Sequence, residues 1–322
     1  MLRGKEKGMT KGKKIAIGVT AGVLALIIVC SVVLYFVAVS IYDGSFNYRC
    51  TTPEEDAFDI SEFPGMVRER HTFKSNNGQT LVGYLYESSD EWADVKGVIV
   101  FAHGMGGGGQ RGYMDIFDIM VGRGYCVFAY DATANDESEG DAMGGLPQGF
   151  IDLDYAIDYA MGLDELSELP LLLMGYSWGG LSVGNVLNYH PEAVAAVSLA
   201  GWNESMNLID YRGCQMVGGV AKLLLPFASL YEWFKYGDYS SSTAMSGFAN
   251  TDARIMIVHG ENDDTIPIYY GYDMYYEEYG EDERFVFKKY DDRTHDLLVD
   301  KDGELDAELF SEIADFFDES VG

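Results

Sequence analysis

A run of 28 uncharged, mostly apolar residues near the amino terminus, positions 15–42, constrains this chain more than any other feature. As an α-helix it would be about 42 Å long, which exceeds the roughly 30 Å hydrocarbon core of a bilayer. Six basic residues and one acidic residue precede the run, within positions 1–14. This pattern predicts a transmembrane helix at 15–42, a basic cytoplasmic tail at 1–14 and an extracytoplasmic remainder.

A cleaved signal peptide is the alternative interpretation of the same run. The segment Ala38-Val39-Ser40 would suit a signal peptidase, but the apolar part of a signal peptide is only about 7–15 residues long. A lipoprotein site at Cys30 fits poorly, because the bulky Val29 precedes it and the apolar run continues past it. We therefore expect an uncleaved anchor in the cell membrane.

The formal charge of −30 is divided unevenly around this run. The tail carries a net charge of +5, whereas the residues after the run carry 16 basic and 51 acidic side chains, a net charge of −35. A surface so acidic repels phosphate groups, and so we expect no nucleic acid partner. Four cysteines are too few for a disulfide-rich scaffold. Cys126 is predicted to be a core residue, and nothing in the sequence supports a Cys50–Cys214 bridge.

Residues 66–322 alternate short apolar strands with amphipathic helices, after an acidic, aperiodic segment at 43–65 that we expect to be a stalk. Strand-like stretches on both sides of Asn77-Gly78 predict an antiparallel hairpin. Six further strands are predicted at 96–103, 125–130, 171–175, 195–199, 255–259 and 284–290. Five helices are predicted at 115–122, 149–162, 179–190, 268–279 and 305–317. The alternation is typical of an α/β domain with a mostly parallel central sheet, helices on both faces and the hairpin at one edge.

The segment Gly175-Tyr-Ser177-Trp-Gly179 matches the pattern G-x-S-x-G between a predicted strand and a predicted helix. A tight turn there would hold Ser177 in strained backbone geometry, and glycines would avoid clashes beside it. The N-terminus of the next helix would face a developing negative charge. This context favours a nucleophilic Ser177 over a buried structural serine.

A serine nucleophile needs a base, and the base needs an orienting acid. His295 lies in a loop between the last predicted strand and the last predicted helix, and we predict that it is the base. The other four histidines occupy positions typical of packing or surface residues: His71, His103, His190 and His259. Asp263 and Asp264 both follow a predicted strand closely, and either carboxylate would be close enough to orient the base.

These motifs resemble those of the α/β-hydrolases over about residues 96–317. The segment GYSWGG resembles their nucleophile elbow, HGENDDTIP their acid loop and HGMGG their oxyanion loop. By that resemblance Asp263, rather than Asp264, is the acid, and the backbone N–H groups of Met105 and Trp178 form the oxyanion hole. More narrowly, the chain resembles bacterial membrane-anchored hydrolases that are prolyl-oligopeptidase-like or serine-aminopeptidase-like.

The resemblance implies a serine hydrolase that cleaves a carboxylic ester, thioester or amide through an acyl-enzyme intermediate, without a cofactor or metal. We favour small ester substrates because no propeller or other peptide-gating domain is evident, and a serine peptidase or aminopeptidase of the same fold is the alternative. A long insert at 202–250 is predicted to be lid-like. Its apolar residues suggest either an acyl pocket or ordinary lid packing: Leu223, Leu224, Leu225, Phe227, Trp233 and Phe234.

Two hypotheses from other functional classes use the same sequence. Gly104–Gly109 matches G-x-G-x-x-G and Asp131 ends the next predicted strand, as in dinucleotide-binding oxidoreductases. That hypothesis leaves Ser177, His295 and Asp263 unused. A catalytically silent hydrolase fold that serves as a binding module is the second, and the complete triad argues against it.

Overall fold

The computed structural model describes residues 9–89 and 95–322. Positions 1–8, which hold most of the predicted basic tail, and positions 90–94 lie outside the described residues. Secondary structure begins with a helix, α1, that runs from Lys11 to Phe46. The hydroxyl of Thr10 caps its start by accepting a hydrogen bond from the backbone N–H of Lys13.

Helix α1 is long and apolar enough to cross a membrane, and nearly all of its apolar window is exposed. Its position near the amino terminus also fits a signal sequence. A second apolar stretch, Ser205–Leu223 with Leu225–Asn250, passes the same test only as a pair bent by 94°. The helix continues four residues past the predicted boundary at Tyr42, and within this extension Asp43 is hydrogen-bonded to the insert and Phe46 is buried.

Within the described residues, eight strands form one sheet in the order β1-β2-β4-β3-β5-β6-β7-β8. Their bounds are β1 Met66–Lys74, β2 Thr80–Ser88, β3 Val98–Ala102, β4 Cys126–Asp131, β5 Leu171–Tyr176, β6 Ala195–Leu199, β7 Arg254–Gly260 and β8 Phe285–Tyr290. Strand β2 is antiparallel to β1 and to β4, and the remaining pairs are parallel. The predicted hairpin and the mostly parallel sheet are confirmed, and Asn77-Gly78 lies in a five-residue hairpin loop.

Helices cover both faces of the sheet. The helices after α1 are α2 Met114–Gly122, α3 Pro147–Met161, α4 Trp178–Val186, α5 Ser205–Val217, α6 Leu225–Tyr236, α7 Ala244–Asn250, α8 Tyr272–Tyr279 and α9 Ala307–Val321. One apolar layer includes Phe117 of α2 and Phe310 of α9, and the layer on the opposite face includes Leu153 of α3 and Leu181 of α4. The sheet therefore forms the middle layer of three, and the carboxyl ends of its parallel strands carry the loops that hold the candidate site.

The insert contains α5, α6 and α7, and it packs against the carboxyl-terminal part of α1. Tyr42 of α1 is buried and its hydroxyl donates a 2.5 Å hydrogen bond to Glu232 of α6. The next residue, Asp43, accepts a 2.7 Å hydrogen bond from the hydroxyl of Tyr231. Ala38 and Phe46 are also buried. The end of α1 is thus part of the folded domain.

The segment that we predicted to be a stalk, 43–65, lies along the domain rather than apart from it. Cys50 pairs with Asn135 through its backbone, and the hydroxyl of Thr52 donates a 2.6 Å hydrogen bond to Asp136. All four cysteines are free thiols, and Cys126 is buried in β4. The acidic composition of residues 43–65 predicts a solvated arm, but partly buried hydrogen bonds hold the segment against the domain.

Candidate active site

Ser177 lies at the sharp turn between β5 and α4. Its backbone has φ of +55° and ψ of −112°, which is a strained conformation for a residue with a side chain. A 2.7 Å hydrogen bond from its N–H to the carbonyl of Leu199 supports that conformation. A Cβ at Gly179 would lie 1.9 Å from the carbonyl oxygen of Ala102, and a Cβ at Gly175 would lie 2.3 Å from that of Gly179. Only glycine fits at either position, as the sequence pattern predicts.

The imidazole of His295 lies between Ser177 and Asp263. Its Nε2 is 2.8 Å from the Oγ of Ser177, and its Nδ1 is 2.7 Å from the Oδ2 of Asp263. A carboxylate only accepts hydrogen bonds, and so the proton of the neutral ring belongs on Nδ1, where Nε2 is free to accept the serine hydroxyl. Tyr176 supports the position of His295, because its hydroxyl donates to the carbonyl oxygen of His295 and its ring centre lies 5.5 Å from that of the imidazole.

The carboxylate of Asp263 is buried and is fixed through both of its oxygens. Its Oδ1 accepts hydrogen bonds from the backbone N–H groups of Thr265 (2.9 Å) and Ile266 (2.7 Å). Burial raises the pKa of Asp263, but hydrogen bonds from His259, His295 and Ile266 outweigh it and hold the pKa well below the usual range. The group is therefore ionised at neutral pH.

Sequence reasoning treated His259 as a packing residue and missed its contact with Asp263. Its Nε2 lies 3.0 Å from the carbonyl oxygen of Ile266 and 3.3 Å from the Oδ2 of Asp263. The ring is fully buried, and so a proton on Nε2 is shared between these two acceptors. The signal was present in the sequence as the four-residue spacing between His259 and Asp263.

Asp264, by contrast, is exposed, and the structure brings only Asp263 to His295.

The loop after β3 approaches the same site. The Nδ1 of His103 donates to the carbonyl oxygen of Gly104 at 2.7 Å, while its Nε2 accepts the N–H of Ala132 at 3.0 Å. The carbonyl of Gly104 and the N–H of Met105 belong to the same trans peptide and so point in opposite directions. Because the carbonyl faces the ring of His103, the N–H of Met105 points away from that ring. Trp178 is the first residue of α4, where the N–H has no partner within the helix.

Asp131 would bind a ribose in the oxidoreductase hypothesis, but in the structure its carboxylate binds backbone groups of neighbouring loops. The carboxylate is fully buried and accepts hydrogen bonds from the backbone N–H groups of Gln110 (2.9 Å) and Glu137 (3.2 Å). Burial raises its pKa to about 7. A Cβ at Gly109 would lie 1.9 Å from its Oδ1. The glycine run therefore packs directly on Asp131, and no ribose can reach that carboxylate.

A cavity of about 450 Å³ reaches Ser177 and His295. Its walls are mostly apolar and come from the end of α1, from the insert and from the loop after β7. Of the six insert residues singled out from the sequence, Leu224 and Leu225 line the cavity. Leu223, Trp233 and Phe234 are instead exposed on the outside of the insert. Arg212 is the single charged side chain among the described residues that line the cavity.

The chain was compared with protein families, curated sequences and solved structures. Residues 93–231 match the family model of serine aminopeptidases of family S33. The matched range includes Ser177 but ends before Asp263 and His295. No curated protein sequence matches the chain significantly.

Solved structures with the same fold include two esterases and a peptidase. An esterase of Pyrococcus furiosus has a TM-score of 0.64 at 14% identity, over 86% of this chain and all of its own. An acetyl xylan esterase from Paenibacillus sp. R4 has a TM-score of 0.59 at 15% identity, over 82% and 87% of the two chains. The acylaminoacyl peptidase of Pyrococcus horikoshii has a TM-score of 0.61 at 17% identity, over 81% of this chain but only 43% of the peptidase. The chain has the α/β-hydrolase fold, and the comparisons together support a serine hydrolase.

Proposed function

We propose that this chain is a membrane-anchored esterase in which Ser177, His295 and Asp263 form the catalytic triad. The observation that carries the proposal is the continuous set of hydrogen bonds from the Oγ of Ser177 through His295 to Asp263. Each partner has the protonation state that the chemistry needs, since Asp263 is ionised and its position keeps the imidazole proton on Nδ1.

The reaction follows from these positions in two halves. In the first, the Nε2 of His295 removes the hydroxyl proton as the Oγ of Ser177 bonds to the ester carbonyl carbon. The carbon–oxygen bond of the ester then breaks, and His295 returns the proton to the departing alcohol. In the second half, His295 deprotonates a water molecule that attacks the acyl-enzyme, which releases the carboxylic acid and restores Ser177.

Both tetrahedral intermediates carry a negatively charged oxygen. We assign its stabilisation to the backbone N–H groups of Met105 and Trp178, because both residues adjoin the cavity wall or the nucleophile and neither N–H is used within a helix. The strained turn at Ser177 keeps the Oγ fixed relative to the first turn of α4, and the hydrogen bond from His103 keeps the Gly104–Met105 peptide oriented.

The character of the cavity favours an ester over an aminopeptidase substrate. An aminopeptidase must pair the ammonium group of its substrate with an acceptor, most simply a carboxylate. None of the described residues that line this cavity is acidic, and the charged one, Arg212, would repel an ammonium group. An apolar acyl chain fits the same surroundings, since its burial is favourable without any polar partner.

The position of α1 supports an uncleaved anchor. Cleavage after Ser40 would remove Ala38, which is buried and lines the cavity, and would separate Tyr42 from its helix. The basic flank then favours a cytoplasmic amino terminus, with the hydrolase domain on the opposite side of the membrane.

Hydrolysis of p-nitrophenyl butyrate by the full-length protein in nanodiscs tests the proposal. We expect Ser177→Ala to lower kcat/KM by about 10⁵-fold or more, because the remaining groups give only residual catalysis. Ser241→Ala, an exposed serine of the insert, is the matched control and should retain full activity. Equal activity of the two variants would contradict the assignment of Ser177.

A further inference from the structure

The wall of the cavity is built partly from the anchor itself. Ala38 and Ile41 of α1 line the cavity together with Ser177 and His295. If the hydrocarbon core begins at Ile15, just past Lys14, its roughly 30 Å correspond to about 20 residues of helix, up to position 34. Ile41 is then only about 10 Å along α1 from the edge of the hydrocarbon. The substrate cavity therefore lies at the membrane surface.

Several apolar side chains that line the cavity are also exposed to the outside of the protein. Ile41, Met216 and Val217 line the cavity and yet are 52%, 78% and 60% exposed, and we call these three residues the apolar rim. Soluble enzymes seldom leave such side chains in contact with water around a pocket, because exposed apolar patches mark interaction surfaces. Arg212 and Ser45 also line the cavity and are exposed, so the rim gives the cavity an apolar side next to a polar one.

A second exposed apolar surface lies on the outside of α6. Its members, which we call the outward stripe, are spaced as one helical face: Pro226, Leu230, Trp233 and Phe234. The opposite face of α6 carries Glu232, whose bond to Tyr42 joins this helix to α1. The outward stripe thus lies on a helix that packs directly on the end of α1. Aromatic side chains such as Trp233 are typical of membrane interfaces.

These observations point to one occupant. We propose that the rim and the outward stripe rest on the bilayer that holds α1, and that the enzyme draws a long-chain acyl ester lipid directly from that bilayer into the cavity. This inference rests on the proposed function. The acyl chain would pass the apolar rim without meeting water, while the ester carbonyl reaches Ser177. The same two-step chemistry then releases a fatty acid and the lipid alcohol, with one water molecule consumed.

The test uses the full-length protein reconstituted in phosphatidylcholine vesicles, with 1-oleoylglycerol in the same bilayer as one substrate and soluble p-nitrophenyl butyrate as the other. The test variant is Trp233→Asp combined with Phe234→Asp, which places two charges on the outward stripe. The matched control is Val67→Asp, an exposed apolar residue of the edge strand β1, outside the insert. Hydrolysis of the soluble ester reports whether each variant is folded and active.

We expect the double variant to hydrolyse 1-oleoylglycerol at least tenfold more slowly than the wild type, with p-nitrophenyl butyrate turnover unchanged within twofold. Val67→Asp should change neither rate. Unchanged hydrolysis of both substrates by the double variant would overturn the inference and leave the esterase intact. Crosslinking in the same vesicles provides a second readout. A dimer that the wild type forms and the double variant does not, with lipid hydrolysis unchanged, would overturn the inference too, since the stripe would then be a protein interface. Wild-type protein without activity on either ester would overturn the proposed function itself.

Discussion

The junction between α1 and α6 predicts a pH-dependent stability that centres on Glu232. The side chain is almost fully buried, and its carboxylate accepts hydrogen bonds from Tyr42 and Ser205. Burial raises its pKa to about 7, against a smaller opposing effect of those two hydrogen bonds and of Lys235. A raised carboxyl pKa means that the folded protein binds this proton more tightly than the unfolded chain does. The stabilisation is complete below the unfolded pKa and is lost as the pH rises towards 7.

The magnitude follows from the two pKa values. Each unit of difference corresponds to about 1.4 kcal/mol, and so between pH 5 and pH 8 this group alone costs the folded state about 2–3 kcal/mol. Tyr42 and Ser205 donate to different oxygens of Glu232, and Glu232→Gln keeps one oxygen acceptor and puts a donor at the other position, as in the protonated acid, but cannot ionise. Between pH 5 and pH 8 the free energy of unfolding should therefore fall by about 2–3 kcal/mol less in the variant than in the wild type. The fall in Tm over the same interval should be about 5 °C smaller in the variant.

Thermal unfolding of the detergent-solubilised full-length protein, followed by intrinsic fluorescence at pH 5 and pH 8, measures this difference. Because many carboxylates titrate in that interval, only the difference between the variant and the wild type is informative. Glu277→Gln, on the exposed side of α8, is the control and should follow the wild type at both pH values. Parallel Tm changes in the wild type and Glu232→Gln would refute the reasoning that burial raises the pKa of Glu232 in the folded protein.

Three further predictions concern the site. Each methylene added to a p-nitrophenyl ester should raise kcat/KM about fourfold until the cavity is full, because burying a CH₂ contributes about 0.8 kcal/mol; a flat series measured by p-nitrophenol release would exclude an apolar acyl pocket. Asp263→Asn should lower kcat by about 10⁴-fold without changing the Tm strongly, whereas Asp264→Asn should retain activity in the same assay. Gly179→Ala should abolish activity and lower the Tm, because its Cβ would overlap the carbonyl of Ala102; a fully active variant with an unchanged Tm would show that the turn at Ser177 can relax.

The parallel sheet and the turn at Ser177 were predictable because local signals and tertiary structure agree. Near-continuous apolar segments produced β3 to β7 close to their expected bounds. The pattern G-x-S-x-G also specifies its own geometry, since only glycine fits the backbone contacts that surround Ser177.

The packing of α1 against the insert was not predictable from sequence patterns. Tyr42 ends an uncharged run, and such a run looks the same whether its last turns lie in lipid or against protein. The decisive contact, between Tyr42 and Glu232, joins residues 190 positions apart. The segment 43–65 is similar, because its acidic composition indicates solvent although Thr52 is held by Asp136. Pairings so distant leave no periodic signal in a single sequence.

Chemical labelling of Ser177 tests the central claim most directly. The full-length protein in nanodiscs would be treated with a fluorophosphonate, digested and mapped by mass spectrometry, beside Ser177→Ala and His295→Ala. The triad predicts a single stoichiometric phosphonyl adduct on the peptide that contains Ser177, absent from Ser177→Ala and formed far more slowly in His295→Ala, since the base activates the nucleophile. A stoichiometric adduct on another residue, or equal labelling of Ser177 without His295, would contradict the account.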